Sequence, residues 1–163
     1  LPETFDDSMK IRMVDPMEIF AAKGNALITR AAARDLYDWC NMLSEGLFEE
    51  QRDLFRKCFL FYMTISADTL NKSFDTSAID TLDFNKIRRD LFPVLNKKDN
   101  FQLDERKKIA KNYISDLMVL TTKEKEYLDR FEEKKYMPEL LFEDAEIVER
   151  VKNHPMALWK CKE

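Results

Sequence analysis

Turn-forming residues are scarce in this chain, because its 163 residues include only 2 glycines and 5 prolines. A β-sandwich or β-barrel needs a turn about every 8–12 residues, and those turns draw on glycine and proline. The hydrophobic fraction of 45% is too high for a disordered chain. No apolar run approaches the roughly 18 residues of a membrane span. The sequence therefore predicts a soluble, mainly α-helical domain.

Start signals and apolar periodicity divide the chain into elements. Residues 8–14 alternate apolar and polar side chains, which predicts one short strand. Asp15, Pro16 and Glu18 are the start signal of a helix that runs to about residue 30. Further helices are predicted over 31–43, 48–66, 83–92, 104–119, 122–136 and 144–152, with a loop or short turns over 67–82. We expect a multi-helix, bundle-like domain preceded by one short strand.

The charge of the chain is unevenly distributed. The net charge is −4, but residues 51–112 carry 13 basic against 9 acidic side chains. The whole chain is therefore no polycation, although its middle third is able to face a phosphate backbone. The three cysteines are odd in number and far apart, which favours a reducing, cytoplasmic location over a disulfide framework.

Lys23 is the first candidate functional residue. Phe20, Lys23 and Leu27 share one helix face, and a lysine on an apolar face is costly to bury. One interpretation is that the ammonium extends to water from an apolar stem. The other is a lysine aimed into a cleft to contact a phosphate, together with Arg30 two turns further along.

Two aspartates form the second candidate. Asp35 and Asp38 are three residues apart, so both carboxylates project from one side of a helix, next to Arg34. Such a pair can ligate Mg²⁺ or position a phosphate-binding lysine. The alternative is that Asp35 supplies negative charge to the helix N-terminus and pairs with Arg30 or Arg34.

The stretch 86–111 is the third candidate, because basic residues there are interleaved with aromatic ones. A surface of this kind can follow a phosphate backbone while its aromatic rings stack on unpaired bases. A solvated helix face is the alternative, and the pattern favours it. The basic residues are Lys86, Arg88, Arg89, Lys97, Lys98, Arg106, Lys107, Lys108 and Lys111.

Several kinds of site are missing from the sequence. His154 is the only histidine, and no cysteine or histidine spacing suits zinc. There is no P-loop and no glycine-rich phosphate cradle. The residues alone therefore give no complete catalytic constellation, and they leave open whether the chain is an enzyme.

The stretch from Val14 to Leu43 carries a family resemblance. Six polar residues follow there in a fixed order: Glu18, Lys23, Arg30, Arg34, Asp35 and Asp38. This order, a strand followed by a helix with Glu and Lys, an Arg and then Arg-Asp-x-x-Asp, resembles the AbiEii/AbiGii family of nucleotidyltransferase toxins. The resemblance is strong over about 30 residues, and the helical remainder is consistent with it.

The resemblance implies a two-domain protein. Residues 1–14 would be a remnant of an N-terminal nucleotidyltransferase domain, and residues 15–163 the C-terminal α-helical domain. The N-terminal domain would hold a Gly-Ser motif and metal-binding acids, but Gly24 and Gly46 are not followed by serine. We therefore expect a domain fragment that is inactive alone, from a full-length nucleotidyltransferase of a bacterial toxin–antitoxin or abortive-infection (phage-defence) pair.

The resemblance also implies roles for the six polar residues. Lys23 would contact the triphosphate of a bound nucleotide, and Asp38 or Asp35 would orient that lysine or a catalytic water, or help to hold the metal. Arg30 and Arg34 would bind phosphate or hold the aspartates in place, with Glu18 in support. Mg²⁺ and an NTP are implied for the full-length protein, and no metal site is assigned to this chain. A tRNA acceptor and an AbiEi-type antitoxin are the implied partners.

A second hypothesis needs no chemistry. In it the chain is a non-catalytic helical interaction module, and its Lys, Arg and Asp residues form a structural network. The two hypotheses differ in what they require of Lys23 and Asp38. The enzyme needs them side by side on an open surface, whereas the module needs them paired and covered.

Overall fold

Helices account for all the regular structure of the described residues, which are 15–83, 85 and 103–162 of a computed structural model. The mainly α fold class is confirmed. The strand predicted over 8–14 and most of the helix predicted over 83–92 lie outside the described residues. The α-helices are α1 Asp15–Thr29, α2 Ala33–Ser44, α3 Arg52–Ser66, α4 Leu103–Leu117, α5 Thr122–Glu132, α6 Ala145–Val151 and α7 Pro155–Lys160.

Helix α3 lies at the centre, as its apolar composition predicts. It packs against α1, α5 and α7, while α2 packs between α1 and α4. The rings of Trp39, Phe55 and Phe59 meet at centroid distances of 5.9 and 6.0 Å, and all three side chains are fully buried. Offset and edge-to-face contacts of this kind add to the stabilisation from apolar burial.

Two predicted helices differ from the structure by four residues at one end. The helix predicted over 48–66 begins at Arg52, because Phe48 is left-handed (φ 64°) and a short 3-10 turn follows it at Glu49–Gln51. The helix predicted over 122–136 ends at Glu132, shortly before Lys134, which is also left-handed (φ 65°). A left-handed residue interrupts a right-handed helix because its C=O and N–H groups no longer align with the hydrogen bonds along the helix axis.

A buried ion network joins α3 to α5. Glu124 is fully buried, and its carboxylate accepts from Arg56 Nε at 2.8 Å and from Lys57 Nζ at 2.9 Å. The same carboxylate closes a capping box with Thr121 at the start of α5. Because this buried charge is fully hydrogen-bonded, the network fixes the angle between the two helices.

Helix α7 has no counterpart among the predicted helices. The last helix predicted from the sequence ends at residue 152, whereas Pro155 is the first residue of α7, and His154 caps the helix by accepting from the Met156 N–H at 3.2 Å. Proline at a first helical position is a start signal as much as a stop signal. The helix has only six residues, which is too few for a periodic apolar pattern to show.

Candidate functional site

The turn between α1 and α2 brings the candidate residues together. Residues 30–32 connect the helices, and Ala31 is fully buried in the left-handed region (φ 50°). The N–H groups of Arg30 and Ala31 both donate to the Ala26 carbonyl, at 2.8 and 3.0 Å. This closing turn folds α2 back along α1, so Lys23 and Asp38 become neighbours although they are distant in sequence.

Glycine lets the two helices approach closely. A Cβ at Gly24 would lie 2.2 Å from Cζ2 of Trp39 and 2.5 Å from Cε2 of Phe59. The Trp39 indole N–H donates to the Phe20 carbonyl at 2.8 Å, one turn before Gly24. Asn25, also buried, donates to the Phe59 carbonyl at 3.0 Å and ties α1 to α3. These contacts hold the backbone rigidly on both sides of Lys23.

Lys23 and Asp38 form an ion pair at this junction. The Lys23 Nζ lies 2.7 Å from Asp38 Oδ2, and the side chains are 32% and 37% exposed. Both side chains of the pair are therefore partly buried and partly accessible to solvent. Its two members lie side by side on a surface that another molecule can reach.

Asp35 lies in a different environment from Asp38. It is only 8% exposed, and its Oδ2 atom is buried with no hydrogen-bond partner among the described residues. Burial raises the pKa of this carboxyl, although the charges of Lys23 and Arg30 oppose the rise, and the like charge of Asp38 adds to it. A buried carboxyl with an unused acceptor atom costs stability unless a ligand or proton satisfies it.

The other predicted residues separate into two groups. Arg30 and Arg34 are exposed around the turn, within reach of solvent anions. Glu18 lies five residues before Lys23, about 140° around the helix axis. Its Oε1 accepts from Arg150 Nη2 of α6 at 3.4 Å. The structure therefore does not bring Glu18 to the Lys23–Asp38 pair.

The basic stretch is only partly described, since Lys86, Arg88, Arg89, Lys97 and Lys98 lie outside the described residues. Its remaining members lie on α4. Arg106 lies over the Tyr37 ring at 5.9 Å, and the Lys111 ammonium lies 2.8 Å from Asp80 Oδ2. Lys107 donates to the Asp80 carbonyl at 3.3 Å, whereas Lys108 is exposed. Most of the described cations of this stretch thus make contacts within the chain.

Within the described ranges, no group of three or more His, Cys, Asp or Glu side chains is arranged to hold a metal ion. Asp35 and Asp38 are the acids close to Lys23 that the resemblance singles out, and Asp38 is already paired. These residues alone do not fit a metal centre. No catalytic step is therefore assigned to a metal at this turn.

Sequence reasoning missed a second surface, around α7. Trp159 is 67% exposed there, close to Lys134, Lys160 and Lys162. These residues are adjacent in space but far apart in sequence, so no local motif contains them. The only sequence signal was the Pro155 start of a helix that carries a tryptophan.

The fold and the site define a helical domain in which a lysine, two exposed arginines, an ion-paired aspartate and a buried aspartate lie around the connection between two helices. A family model described as nucleotidyl transferase AbiEii toxin, type IV toxin–antitoxin system, matches residues 1–134. The match covers well over half of the chain, so the chain belongs to the AbiEii toxin family, as the resemblance indicated. No curated protein and no solved structure matches it. None of the helices in the described ranges combines the length and the apolarity that crossing a bilayer requires.

Proposed function

We propose that this chain completes the nucleotide-binding site of a nucleotidyltransferase toxin. The observation that carries the proposal is the Lys23–Asp38 pair, 2.7 Å apart and about one-third exposed at a rigid helix junction. A lysine held in this way presents its ammonium to an incoming triphosphate without a large cost in side-chain entropy. Asp38 holds the ammonium in place before the nucleotide binds.

Charge neutralisation is the chemical role that suits Lys23. In nucleotide transfer, negative charge is spread over the phosphoryl oxygens, and fixed cations stabilise it in the transition state. Lys23 supplies one such cation, and the exposed Arg30 and Arg34 supply two more around the same turn. In this proposal the buried carboxyl of Asp35, which interacts electrostatically with Lys23, helps to orient that lysine.

The remaining parts of the active site would come from another domain. In this proposal residues 15–163 are the helical domain, and residues 1–14 belong to a nucleotidyltransferase domain with the Gly-Ser motif and the metal-binding acids. Mg²⁺ would be held there and would supply Lewis-acid chemistry to the phosphates. This division is supported by the sequence, in which neither Gly24 nor Gly46 precedes a serine.

The partners follow from the family. A type IV toxin acts with an antitoxin, and we propose one of the AbiEi type, in a cytoplasmic phage-defence pair. A tRNA acceptor would face the basic residues of 86–111. Lys108 is exposed and supports such a surface, although Lys107 and Lys111 are engaged by Asp80.

The test is nucleotide transfer by the complete gene product. Wild type, Lys23→Ala and Asp38→Ala are each incubated with labelled NTPs, Mg²⁺ and total tRNA, and the label on RNA is followed. Lys152→Ala is the matched control, because Lys152 is also exposed and ion-paired, to Glu149 at 2.6 Å. We expect both site variants to lose transfer about 100-fold or more, the range for removing one transition-state contact. Unchanged transfer by folded site variants would remove Lys23 and Asp38 from the site.

A non-catalytic interaction module is the second candidate. It is favoured by one observation, which is that Lys23 and Asp38 already satisfy each other and need no ligand. In this case the wild-type protein would transfer no label to any acceptor. Substitution of either residue would then change only stability, by no more than about 1 kcal/mol for a partly exposed pair.

A further inference from the structure

The two tryptophans of the chain lie in opposite environments. Trp39 is fully buried in the core, whereas Trp159 is 67% exposed on α7. Met156 and Leu158 of the same helix are also exposed, at 44% and 47%, so Trp159 belongs to an apolar patch of the kind that another molecule covers. Trp159 also lies beyond residue 134, where the family match ends, so the family match assigns it no role.

Helix α7 holds Trp159 in a fixed position. Ala157 is fully buried, and the His154 ring packs edge-on against Phe61 at 5.4 Å. The Lys160 ammonium donates to the Ala67 carbonyl at the end of α3. These contacts attach α7 to the rest of the domain at several points. The loss of conformational entropy when a ligand stacks on the indole is therefore small.

The indole borders an open groove of about 600 Å³ between the end of α3, the end of α5 and α7. Three lysines line it, Lys134, Lys160 and Lys162, together with two carboxylates, Asp68 and Glu132. Glu132 is ion-paired with Lys72 at 3.4 Å, outside this lining. The groove therefore has an excess of positive charge beside an exposed aromatic face.

A second groove of about 600 Å³ lies next to the first, and Ala67, Asp68 and Thr69 border both. It runs along α1 and reaches Arg30 at the α1–α2 turn. The combined path therefore has an aromatic platform and lysines at one end and an arginine at the other. An extended chain with regularly spaced anionic groups matches this arrangement.

We propose that this path binds a single-stranded stretch of nucleic acid, with one base stacked on Trp159. Phosphates of the strand are contacted by Lys134 and Lys162 at one end and by Arg30 at the other. Stacking on an aromatic side chain beside a cationic groove is the general means of holding unpaired nucleotides without reading their sequence. A base stacks on the flat face of the indole, and the lysines bind the phosphates. An apolar peptide would leave those lysines without a partner. The site is separate from the stretch 86–111 but shares Arg30 with the proposed nucleotide site, so its test rests on Trp159, Lys134 and Lys162, which lie outside that site.

Fluorescence anisotropy of end-labelled ten-nucleotide U and A RNA, with the complete gene product, tests this proposal. We expect Trp159→Ala to raise the Kd for both strands about tenfold, a typical loss for one stacked base. Trp159→Phe should keep most of the affinity, since a phenyl ring still stacks. Val119→Ala is the matched control, because Val119 is 73% exposed on another part of the surface and should leave the Kd unchanged.

Two further measurements identify the contacts. Each of Lys134→Ala and Lys162→Ala should make the plot of log K against log salt shallower by about 0.7, the value for one phosphate contact on a single strand. Iodide should quench Trp159 but not the buried Trp39, and the bound strand should remove that quenching.

The proposal fails if folded Trp159→Ala binds both RNAs with wild-type affinity. It also fails if the only effect of Trp159→Ala is to abolish self-association in size-exclusion chromatography, because α7 would then be a protein interface. The experiment distinguishes this failure from failure of the proposed transferase function. If only the transferase function is wrong, the protein still binds the strands through Trp159 but transfers no label.

Discussion

Gly24 faces the indole of Trp39 so closely that a Cβ at position 24 would lie 2.2 Å from Trp39 Cζ2. The residues that precede these two in sequence, Lys23 and Asp38, form the candidate ion pair. Packing in the core and geometry at the surface are therefore coupled. A change on the buried side of the junction is expected to move the pair on the exposed side.

This coupling predicts the effect of Gly24→Ala. The added methyl group meets the rings of Trp39 and Phe59, which are buried and have no space to shift. We expect a net loss of about 2 kcal/mol in the free energy of unfolding, because overpacking outweighs the gain of about 1 kcal/mol in helix propensity. Urea denaturation measures it. Ala22→Ser, on the exposed side of α1, is the control and should change stability by less than about 0.5 kcal/mol.

The raised pKa of Asp35 predicts that its contribution to stability falls as pH rises, which is the opposite of the behaviour of most acidic residues. Burial raises the pKa of its carboxyl in the folded protein above the ordinary 3.8. The folded state then binds more protons than the unfolded state in the range just above pH 3.8, so this group removes stability as pH rises. We expect Asp35→Asn to have a higher melting temperature than wild type at about pH 7. The gain should shrink as the solution is acidified, and a lower melting temperature at neutral pH would mean that the charge of Asp35 is stabilising.

The buried ion network predicts that substitution of Glu124 lowers the free energy of unfolding. Glu124→Gln leaves Arg56 and Lys57 next to a neutral amide in a buried position. We expect a loss of about 3 kcal/mol, the scale for removing one partner of a buried ion network. Glu126→Gln, which is exposed on the same helix, is the control for the denaturation experiment. Equal midpoints for the two variants would contradict the structural role of the network.

The same carboxylate makes the fold sensitive to acid. Burial acts to raise the pKa of Glu124, but its bonds with Arg56, the Thr121 N–H and Lys57 outweigh burial and hold the pKa below the ordinary 4.5. Its contribution is therefore complete above pH 4.5 and is lost as the pH falls through the folded-state pKa. Thermal melts between about pH 6 and about pH 3 should show a steeper decline for wild type than for Glu124→Gln.

A hydroxyl pair in the core allows a double-mutant cycle. Thr64 and Tyr127 are fully buried, and their hydroxyl oxygens are 2.9 Å apart across α3 and α5. We expect Tyr127→Phe to cost about 1 kcal/mol, and the double variant with Thr64→Val to cost less than the sum of the two single changes. If the losses in unfolding free energy of the two single variants add up to that of the double variant, the hydrogen bond between Thr64 and Tyr127 does not form in solution.

The sequence predicts the helices well where the signals are local. The start signal at Asp15, Pro16 and Glu18 matches the start of α1, and the left-handed Gly46 follows closely on the end of α2. The proximity of Lys23 and Asp38 depends on Ala31, a residue type that rarely adopts a left-handed conformation, so no sequence signal announces that turn. The contacts of Lys107 and Lys111 with Asp80 depend on tertiary packing, which a charge count does not contain.

A charge swap tests the role of the Lys23–Asp38 pair most directly. The double variant Lys23→Asp, Asp38→Lys keeps an ion pair between α1 and α2 but removes the lysine from position 23. If the pair serves nucleotide transfer, the swapped protein should unfold within about 1 kcal/mol of wild type and yet transfer almost no label from NTP to RNA. Wild-type transfer by the swapped protein would contradict that role, because it would show that the pair acts only as a link between two helices.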